Sequence, residues 1–344
     1  MIRYVARRLL TSIPVLFGVT LITFTLMHFT AGSYIPGATG SPTLTPADVT
    51  RIRDNLGLDR PLVTQYADWV GIGQALKSVG LQGVLPDNNN VEPGLLQGDF
   101  GRSLIDGQTV LSAIHDRLPN TLELSVTGLL LGLLIAVPVG VLSARFRGRW
   151  IDQGLTILSV AGFAIPEFWF CLLLILLFSV SFHAWGLPWL PASGATSAIG
   201  GGGLVDRIEH LLMPAAVIAA LYASQWSRFI RSSMIEALSQ DYIRTARAKG
   251  MKEGRVVYIH ALRNAIVSLI TLIGLELPDL VSGTLVVEVV FSWPGIGFLT
   301  YQKALAYDYT MVLGIVVFVG VLVVLGNLLA DVLYGIADPR VRYS

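Results

Sequence analysis

Residues 240–265 read QDYIRTARAKGMKEGRVVYIHALRNA, six Lys and Arg side chains against two acids, and they stand between two long apolar runs. A hydrophilic island of this kind cannot lie in hydrocarbon, so the apolar runs on either side read as separate passages through a bilayer. The rest of the chain has the same grain. Of its 344 residues 53% are hydrophobic and only 14% charged, against about 25% charged in soluble proteins. Six segments reach the roughly 20 apolar residues that a helical span requires: about 9–29, 121–143, 154–180, 211–230, 266–291 and 310–335. The first follows Arg3, Arg7 and Arg8 and could pass for a signal peptide, but its length and the five runs after it read as an uncleaved first span.

Orientation follows from the basic residues of the short connections. Arg3, Arg7 and Arg8 precede the first span, and Arg145, Arg147 and Arg149 join the second to the third. Eight more flank or occupy the fourth-to-fifth connection: Arg228, Arg231, Arg244, Arg247, Lys249, Lys252, Arg255 and Arg263. With Arg340 and Arg342, sixteen of the 24 Lys and Arg residues fall on one side. The fold expected is therefore an all-α membrane protein with six transmembrane helices and both termini cytoplasmic. Residues 1–30 form the N-terminus and first span, 31–119 a small extracytoplasmic region, and 120–344 the other five spans, with a cytoplasmic loop at 231–265. Within 31–119, Thr45-Pro46-Ala47-Asp48 starts a helix that Gly57 ends, a second helix covers about 61–78, and TVLSAIHDRL feeds the second span at Pro119. The glycine-rich connection 181–209 is expected to be mobile.

Several functions are excluded. A net charge of +1 gives no field for nucleic acid. The lone Cys171 lies in an apolar run and reads as a small core residue, and His28, His115, His183, His210 and His260 have no metal-ligand spacing. No catalytic grouping of Ser, His and Asp can be argued. The chain has no GxxxxGK[ST], so it cannot cradle nucleotide phosphates in a P-loop. Energy for transport has to come from a partner or from an ion gradient.

The opening stretch carries a helix with an apolar stripe through Ile235, Leu238, Tyr242 and Ala246, ended by Gly250 in a left-handed cap, before a second helix re-enters the membrane. A basic helix with small residues suits another protein's groove; basic residues that only fix topology are the plainer reading of the charges alone. QDYIRTARAKG followed by HALRNA resembles the cytoplasmic coupling loop of ABC-importer permeases, in the form found in dipeptide and oligopeptide systems. Aligned on Gly250, the general signature Glu-Ala-Ala falls on Arg244, Thr245 and Ala246, and its last four positions on His260, Ala261, Leu262 and Arg263, so its Glu is replaced and its Pro is absent, as in the peptide subgroup. LGLDRPLVTQY, GDFGRSL, RLPNTLELS, AIPEFW, WLPASG, VVFSWPGIG and DPRVR resemble the B-type subunit in the same order, while about 71–96 is longer than that family's outer loop.

The resemblance implies a homologous C-type permease subunit, one or two cytoplasmic ABC ATPases holding ATP and Mg, an extracytoplasmic solute-binding protein and a peptide substrate. It implies no cofactor on this chain, no enzymatic activity of its own, and a place in the inner membrane of a prokaryote. Residues 236–250 are then the coupling helix. Tyr242 is its apolar anchor, Ala246 and Ala248 its close-contact positions, Arg244, Arg247 and Lys249 its polar contacts, and Glu236, Asp241, Thr245 and Gly250 complete it. Nickel, glutathione, antimicrobial-peptide and oligosaccharide systems use similar permeases. A proton-driven carrier working through Glu276 and Asp279 is the alternative of another class.

Glu276 and Asp279, three residues apart around Pro278, share one face of the fifth span. They read either as a polar pair satisfied by neighbouring helices or as acids lining a translocation path that attract a cationic group. Glu123, Glu167 and Glu288 read as nearer span ends, at the interface.

Overall fold

The computed structural model describes residues 2–31, 60–78, 93–103, 105–197, 202–276, 280 and 284–337. Among them regular structure is helical, apart from one bridge between Arg102 and Thr109. The helices are α1 (Ile2–Ala31), α2 (Leu62–Val70), α3 (Ile72–Ser78), α4 (Val110–Arg145), α5 (Trp150–Ala164) and α6 (Glu167–Ala184). After them come α7 (Leu204–Leu238), α8 (Asp241–Ala248), α9 (Leu262–Glu276), α10 (Leu285–Val290), α11 (Ile296–Leu305) and α12 (Tyr309–Ala337). Among the described residues four segments are long and apolar enough to cross a bilayer: Arg7–Leu26 in α1, α4, α6, and Tyr309–Ala330 in α12. The expected span at 211–230 lies inside the more polar α7. That at 266–291 falls on α9 and α10, with 277–279 and 281–283 outside the described residues. The helix expected at 45–57 also lies outside them.

Two of the expected boundaries change at prolines. The run 154–180 is not one helix: α5 and α6 meet at Ile165-Pro166, where Ile165 is extended at φ −74° and ψ 126°. Proline lacks an N–H and pushes the preceding residue out of helical geometry, which accounts for the break. At Pro119, where a short helix was expected to join the span, α4 instead runs on unbroken. Here the residues just after the proline are pinned from outside. Asn120 Nδ2 donates to Pro294 O at 2.8 Å, and Thr121 Oγ1 accepts from Ile296 N at 2.8 Å.

The chain divides into two compact units. One comprises Met1–Arg8, Arg117–Leu299 and Leu322–Ser344; the other Leu9–Asp116 and Thr300–Val321. The first is organised by α4 against α7. A Cβ built on Gly128 would meet Ile218 at 2.6 Å, one on Gly132 Tyr222 at 2.8 Å, and one on Gly140 Ile230 at 2.7 Å. These glycines, with buried Ala136 and Ala144, repeat every four residues and form one flat stripe that lets the backbones approach. Each contact keeps the same offset of ninety in sequence number, so α4 and α7 run parallel. The intervening α5 and α6 must then carry the chain back. α5 is fixed to α7 by Ser159 and Ser227, whose hydroxyls lie 2.9 Å apart.

The glycine-rich connection before α7 is held where it is described. Leu190 N donates to Phe178 O at 3.0 Å, Gly194 N to Phe291 O at 2.8 Å, and Ser197 Oγ to Asp206 at 2.5 Å.

In the second unit α2 lies on α1. Thr20 and Tyr66 share a hydrogen bond of 2.8 Å, and Phe24 stacks on Trp69 with ring centroids 5.8 Å apart. The helix expected at 61–78 is divided by Gly71, at φ +88°. Asp308 is fully buried and accepts from Ser103 Oγ at 2.5 Å and from Lys303 Nζ at 3.2 Å. Lys303 also donates to Asp106 at 2.6 Å, and this bond leads in holding the Asp106 carboxyl down to about 2.

Candidate functional site

The helix expected at 236–250 is shorter in the structure. Glu236 belongs to the last turn of α7, where its carbonyl accepts from Ser239 N at 3.1 Å and Ser239 Oγ at 2.7 Å. Gln240 is extended, at φ −75° and ψ 154°, and α8 begins anew at Asp241. An acid in the first turn complements the helix dipole. The reason for the break is local: the Ser239 hydroxyl and amide both turn back onto Glu236, a competing pattern that ends helices. The stripe through Ile235, Leu238, Tyr242 and Ala246 is therefore not one face of one helix.

Within α8 the faces divide sharply. Ile243 is fully buried and Ala246 nearly so. Both enter a cluster with Met234 and Ala237 of α7, Ala144 of α4 and Val257 of the segment after the loop. Asp241, Tyr242, Arg244, Thr245, Arg247, Ala248, Lys249 and Gly250 are exposed. Of the two alanines expected at a close contact, Ala246 is turned into the chain's own core, and Ala248 alone is on the open side. Ile243, three residues before Ala246, is the anchor that reading the sequence overlooked; its spacing was the available signal.

The end of α8 is built as expected. Gly250 sits at φ +74°, donates to Arg247 O at 2.9 Å, and has open space where a Cβ would point. Across this turn Arg247 forks onto Glu253, Nη2 to Oε1 at 2.6 Å and Nε to Oε2 at 3.1 Å. The fork holds the Glu253 carboxyl below its usual range and raises Arg247. Both side chains are about half exposed, so its main consequence is to fix the turn rather than to add much stability. The chain then passes through Glu253–Arg255 and the wider turns of Val256–Ala261 into α9.

A second clip braces the same end of the bundle. Arg231 Nε and Nη2 donate to the buried Asp152 at 2.7 and 2.9 Å, Ser143 Oγ donates to it at 2.5 Å, and Gly148 N at 2.8 Å. Led by the Arg231 bonds and opposed by burial, these donors hold the Asp152 carboxyl well below the carboxylate range. The ends of α4, α5 and α7 are thus tied where α8 is seated. In the sequence, Arg231 counted only as one topological charge.

The acids of the spans fall into different settings. Glu288, expected at the interface, is instead fully buried. Its Oε1 accepts from Thr121 Oγ1 and Thr284 Oγ1, both at 2.8 Å, and its Oε2 from Phe298 N at 3.0 Å. Gly295 and Gly297 pack their backbones directly against this carboxylate, which leaves no room for a side chain at either. Nothing in Glu288's spacing announced a donor 167 residues away in sequence, Thr121. Glu123 is paired with Arg207, which also donates to Asn120 Oδ1 at 2.7 Å and lies over the Trp293 ring, 4.6 Å from its centroid. Glu276 ends α9, partly buried, and Asp279 lies outside the described residues. Among the described residues no group of three or more His, Cys, Asp or Glu is placed to hold a metal ion.

Helices of membrane-spanning length, tied at one end around a short helix with one exposed face, define a polytopic membrane protein. Residues 136–343 match the family of binding-protein-dependent transport system inner membrane components, and residues 1–125 match the model of that family's N-terminal region. The chain belongs to this family. It is 40% identical over its full length to the oligopeptide transport system permease protein AppB of Bacillus subtilis, covering all of that protein. It is 36% identical to the di/tripeptide permease protein DppB of Pseudomonas aeruginosa and 34% to the dipeptide permease protein DppB of Escherichia coli, both again over the whole of each chain. In fold it is similar to a chain of the MetNI methionine ABC transporter in an inward-facing conformation, with a TM-score of 0.51 at 20% identity, over 67% of this chain and 98% of that one.

Proposed function

We propose that this chain is one permease subunit of an ATP-driven importer of dipeptides or oligopeptides, and that α8 is its coupling helix. Six spans place both termini and α8 in the cytoplasm, as the clustering of Lys and Arg requires. The parallel course of α4 and α7 supports the count, since it makes α5 and α6 a single return pass. A homologous permease, one or two ABC ATPases and an external solute-binding protein complete the machine. The peptide class rests on the full-length relatives AppB and DppB, whose names carry it. Glu276 and Asp279 are proposed to line the path.

The observation that carries the mechanism is the two-faced character of α8. A lever needs a grip and a rigid attachment. Tyr242, Arg244, Thr245, Arg247, Ala248 and Lys249 offer the grip, while Ile243 and Ala246 are locked into a core that includes residues of α4 and α7. ATP-driven movement of the ATPases would pull on the exposed face and rock the spans as bodies between inward- and outward-open forms.

The test is Ala248→Trp in the assembled complex. An indole at this exposed position leaves the core untouched and fills the contact surface. Insertion into the membrane should be unchanged, with ATPase retention on purification and ATP-driven peptide uptake both reduced at least about tenfold, the effect of roughly 1.4 kcal/mol at an interface. Normal retention and uptake would remove α8 as the coupling element.

A further inference from the structure

Orientation needs only the charges of Arg145, Arg147 and Arg149, yet the turn that carries them also has a definite shape. Residues 124–144 of α4 hold no charged side chain, about the length of one span, so Arg145 falls where that span leaves the hydrocarbon. α5 starts at Trp150. Residues 146–149 join the two helices in a tight turn. Phe146 N donates to Leu142 O at 3.0 Å, Arg147 N to Ala144 O at 3.3 Å and Arg149 N to Phe146 O at 2.9 Å. Gly148, at φ +77°, closes the turn and donates to Asp152 Oδ2 at 2.8 Å.

The turn gathers positive charge and leaves it open. The guanidinium groups of Arg145 and Arg149 lie against one aromatic ring, 5.4 and 5.8 Å from the Phe146 centroid, a contact that limits where they can point. Arg145, Arg147 and Arg149 are all exposed, and among the described residues none of the three forms an ion pair. The acids nearby are engaged elsewhere. Asp152 is buried beneath Arg231, Ser143 and Gly148. Glu253, on which the Arg145 charge also acts, is forked by Arg247.

The neighbouring surface says what kind of anion fits. Trp150 is 80% exposed, and the same face of α5 continues through exposed Ile157 and Leu158. Gly154 lies between them, with open space where a Cβ would point. A bare indole beside guanidinium groups, above an apolar helix face, matches the layered chemistry of a membrane interface: phosphate, then glycerol, then hydrocarbon. A docking surface for a soluble protein would need the charges but not the apolar face that runs on from them.

We infer that the turn between α4 and α5 binds an anionic phospholipid. Its phosphate is held by the arginines of the turn, and its glycerol and acyl chains lie along Trp150 and the exposed face of α5. Guanidinium groups suit phosphate because their fork of N–H donors matches its oxygens. The inference goes beyond the import reading and does not depend on the cargo.

The full-length chain is purified in a neutral detergent, and its binding of phosphatidylglycerol and phosphatidylcholine is titrated by native mass spectrometry. Phosphatidylglycerol should bind at least about tenfold more tightly, since each basic residue near an anionic surface contributes roughly fivefold. Arg147→Gln with Arg149→Gln should remove that preference, and Arg147→Lys with Arg149→Lys should keep most of it. Trp150→Ala should weaken the binding of both lipids. Lys252→Gln with Arg255→Gln takes the same charge from an exposed stretch that has no tryptophan beside it, and should leave the preference within about twofold. Equal affinity of the wild type for the two lipids would overturn the inference. So would an equal loss in the Lys252 and Arg255 control, which would reduce the site to diffuse charge. Competition by glycerol 3-phosphate as effective as that by the lipid would make this a free-phosphate site and overturn the lipid assignment. A glutamine pair that binds phosphatidylglycerol normally but no longer retains the ATPase subunits would make the turn a protein contact instead. Thermal unfolding in the same detergent shows whether the glutamine pair is folded. If it is not, Arg147→Gln and Arg149→Gln taken singly decide, each with an expected loss of roughly fivefold and with unchanged affinity counting against the site.

Discussion

A fully buried carboxylate must be met by donors, and Glu288 is met by two threonine hydroxyls and a backbone amide drawn from three different stretches of chain. The surrounding sequence is shaped to it. Thr121 passes the network on by accepting from Ile296 N, and Gly295 and Gly297 bring bare backbone to the carboxylate. Glu288→Ala would strand these donors, so it should destabilise the protein by about 2–4 kcal/mol. Thermal unfolding of the purified protein in detergent measures this, with Glu288→Gln expected between the variant and wild type because one acceptor oxygen survives. Equal unfolding temperatures for all three would show that the network contributes nothing. The residue scale is where the sequence was least legible. That Glu288 is acidic is plain; that it is buried depends on which residues fold onto it.

The same division holds among the elements. Proline reads as a helix breaker, yet Pro166 divides α5 from α6 while Pro119 and Pro138 lie inside an unbroken α4. The intrinsic cost is the same in each case. What differs is the neighbourhood, since the hydrogen bonds after Pro119 hold the helix in register. In the coupling region the capping glycine was legible from Gly250 alone, because few residues other than glycine take φ +74° at little cost. The break at Ser239-Gln240 was not, since good helix formers lie on both sides. The position of Ile243 gives the prediction proper to this scale. Ile243→Ala removes a fully buried side chain from the seat of α8 and should cost about 2–4 kcal/mol. If α8 transmits force, the ratio of peptide moved to ATP hydrolysed in vesicles should fall while ATP hydrolysis persists. An unchanged ratio would mean that the seat need not be rigid.

For the whole molecule, the governing feature is the small-residue stripe on α4 that admits α7. In a bilayer, lipid is as apolar as a leucine side chain, so helices associate by close fit rather than by escape from water. Gly132 is held against Tyr222, which in turn stacks on Trp226 at 4.5 Å. Gly132→Leu should force the helices apart, with overpacking costs of about 1–3 kcal/mol or more. The readout is the amount of monodisperse protein recovered from membranes, with Gly154→Leu as the control, since Gly154 faces open space. Normal recovery of both variants would dismiss the stripe as an organising contact. A repeat of Gly128, Gly132, Ala136, Gly140 and Ala144 at intervals of four was visible in the sequence. It could have marked one face of α4 as a packing face, though not α7 as its partner.

What the sequence determined by itself was a helical membrane protein, the location of its hydrophilic handle and the family to which it belongs. Long apolar runs in lipid must close their own backbone hydrogen bonds, and that requirement is met within each segment. Tertiary structure alone decided which face of α8 is anchored and how buried acids such as Glu288 and Asp152 are satisfied. Those outcomes depend on contacts between residues far apart in the chain, and hydropathy cannot separate a side chain turned to lipid from one turned to another helix.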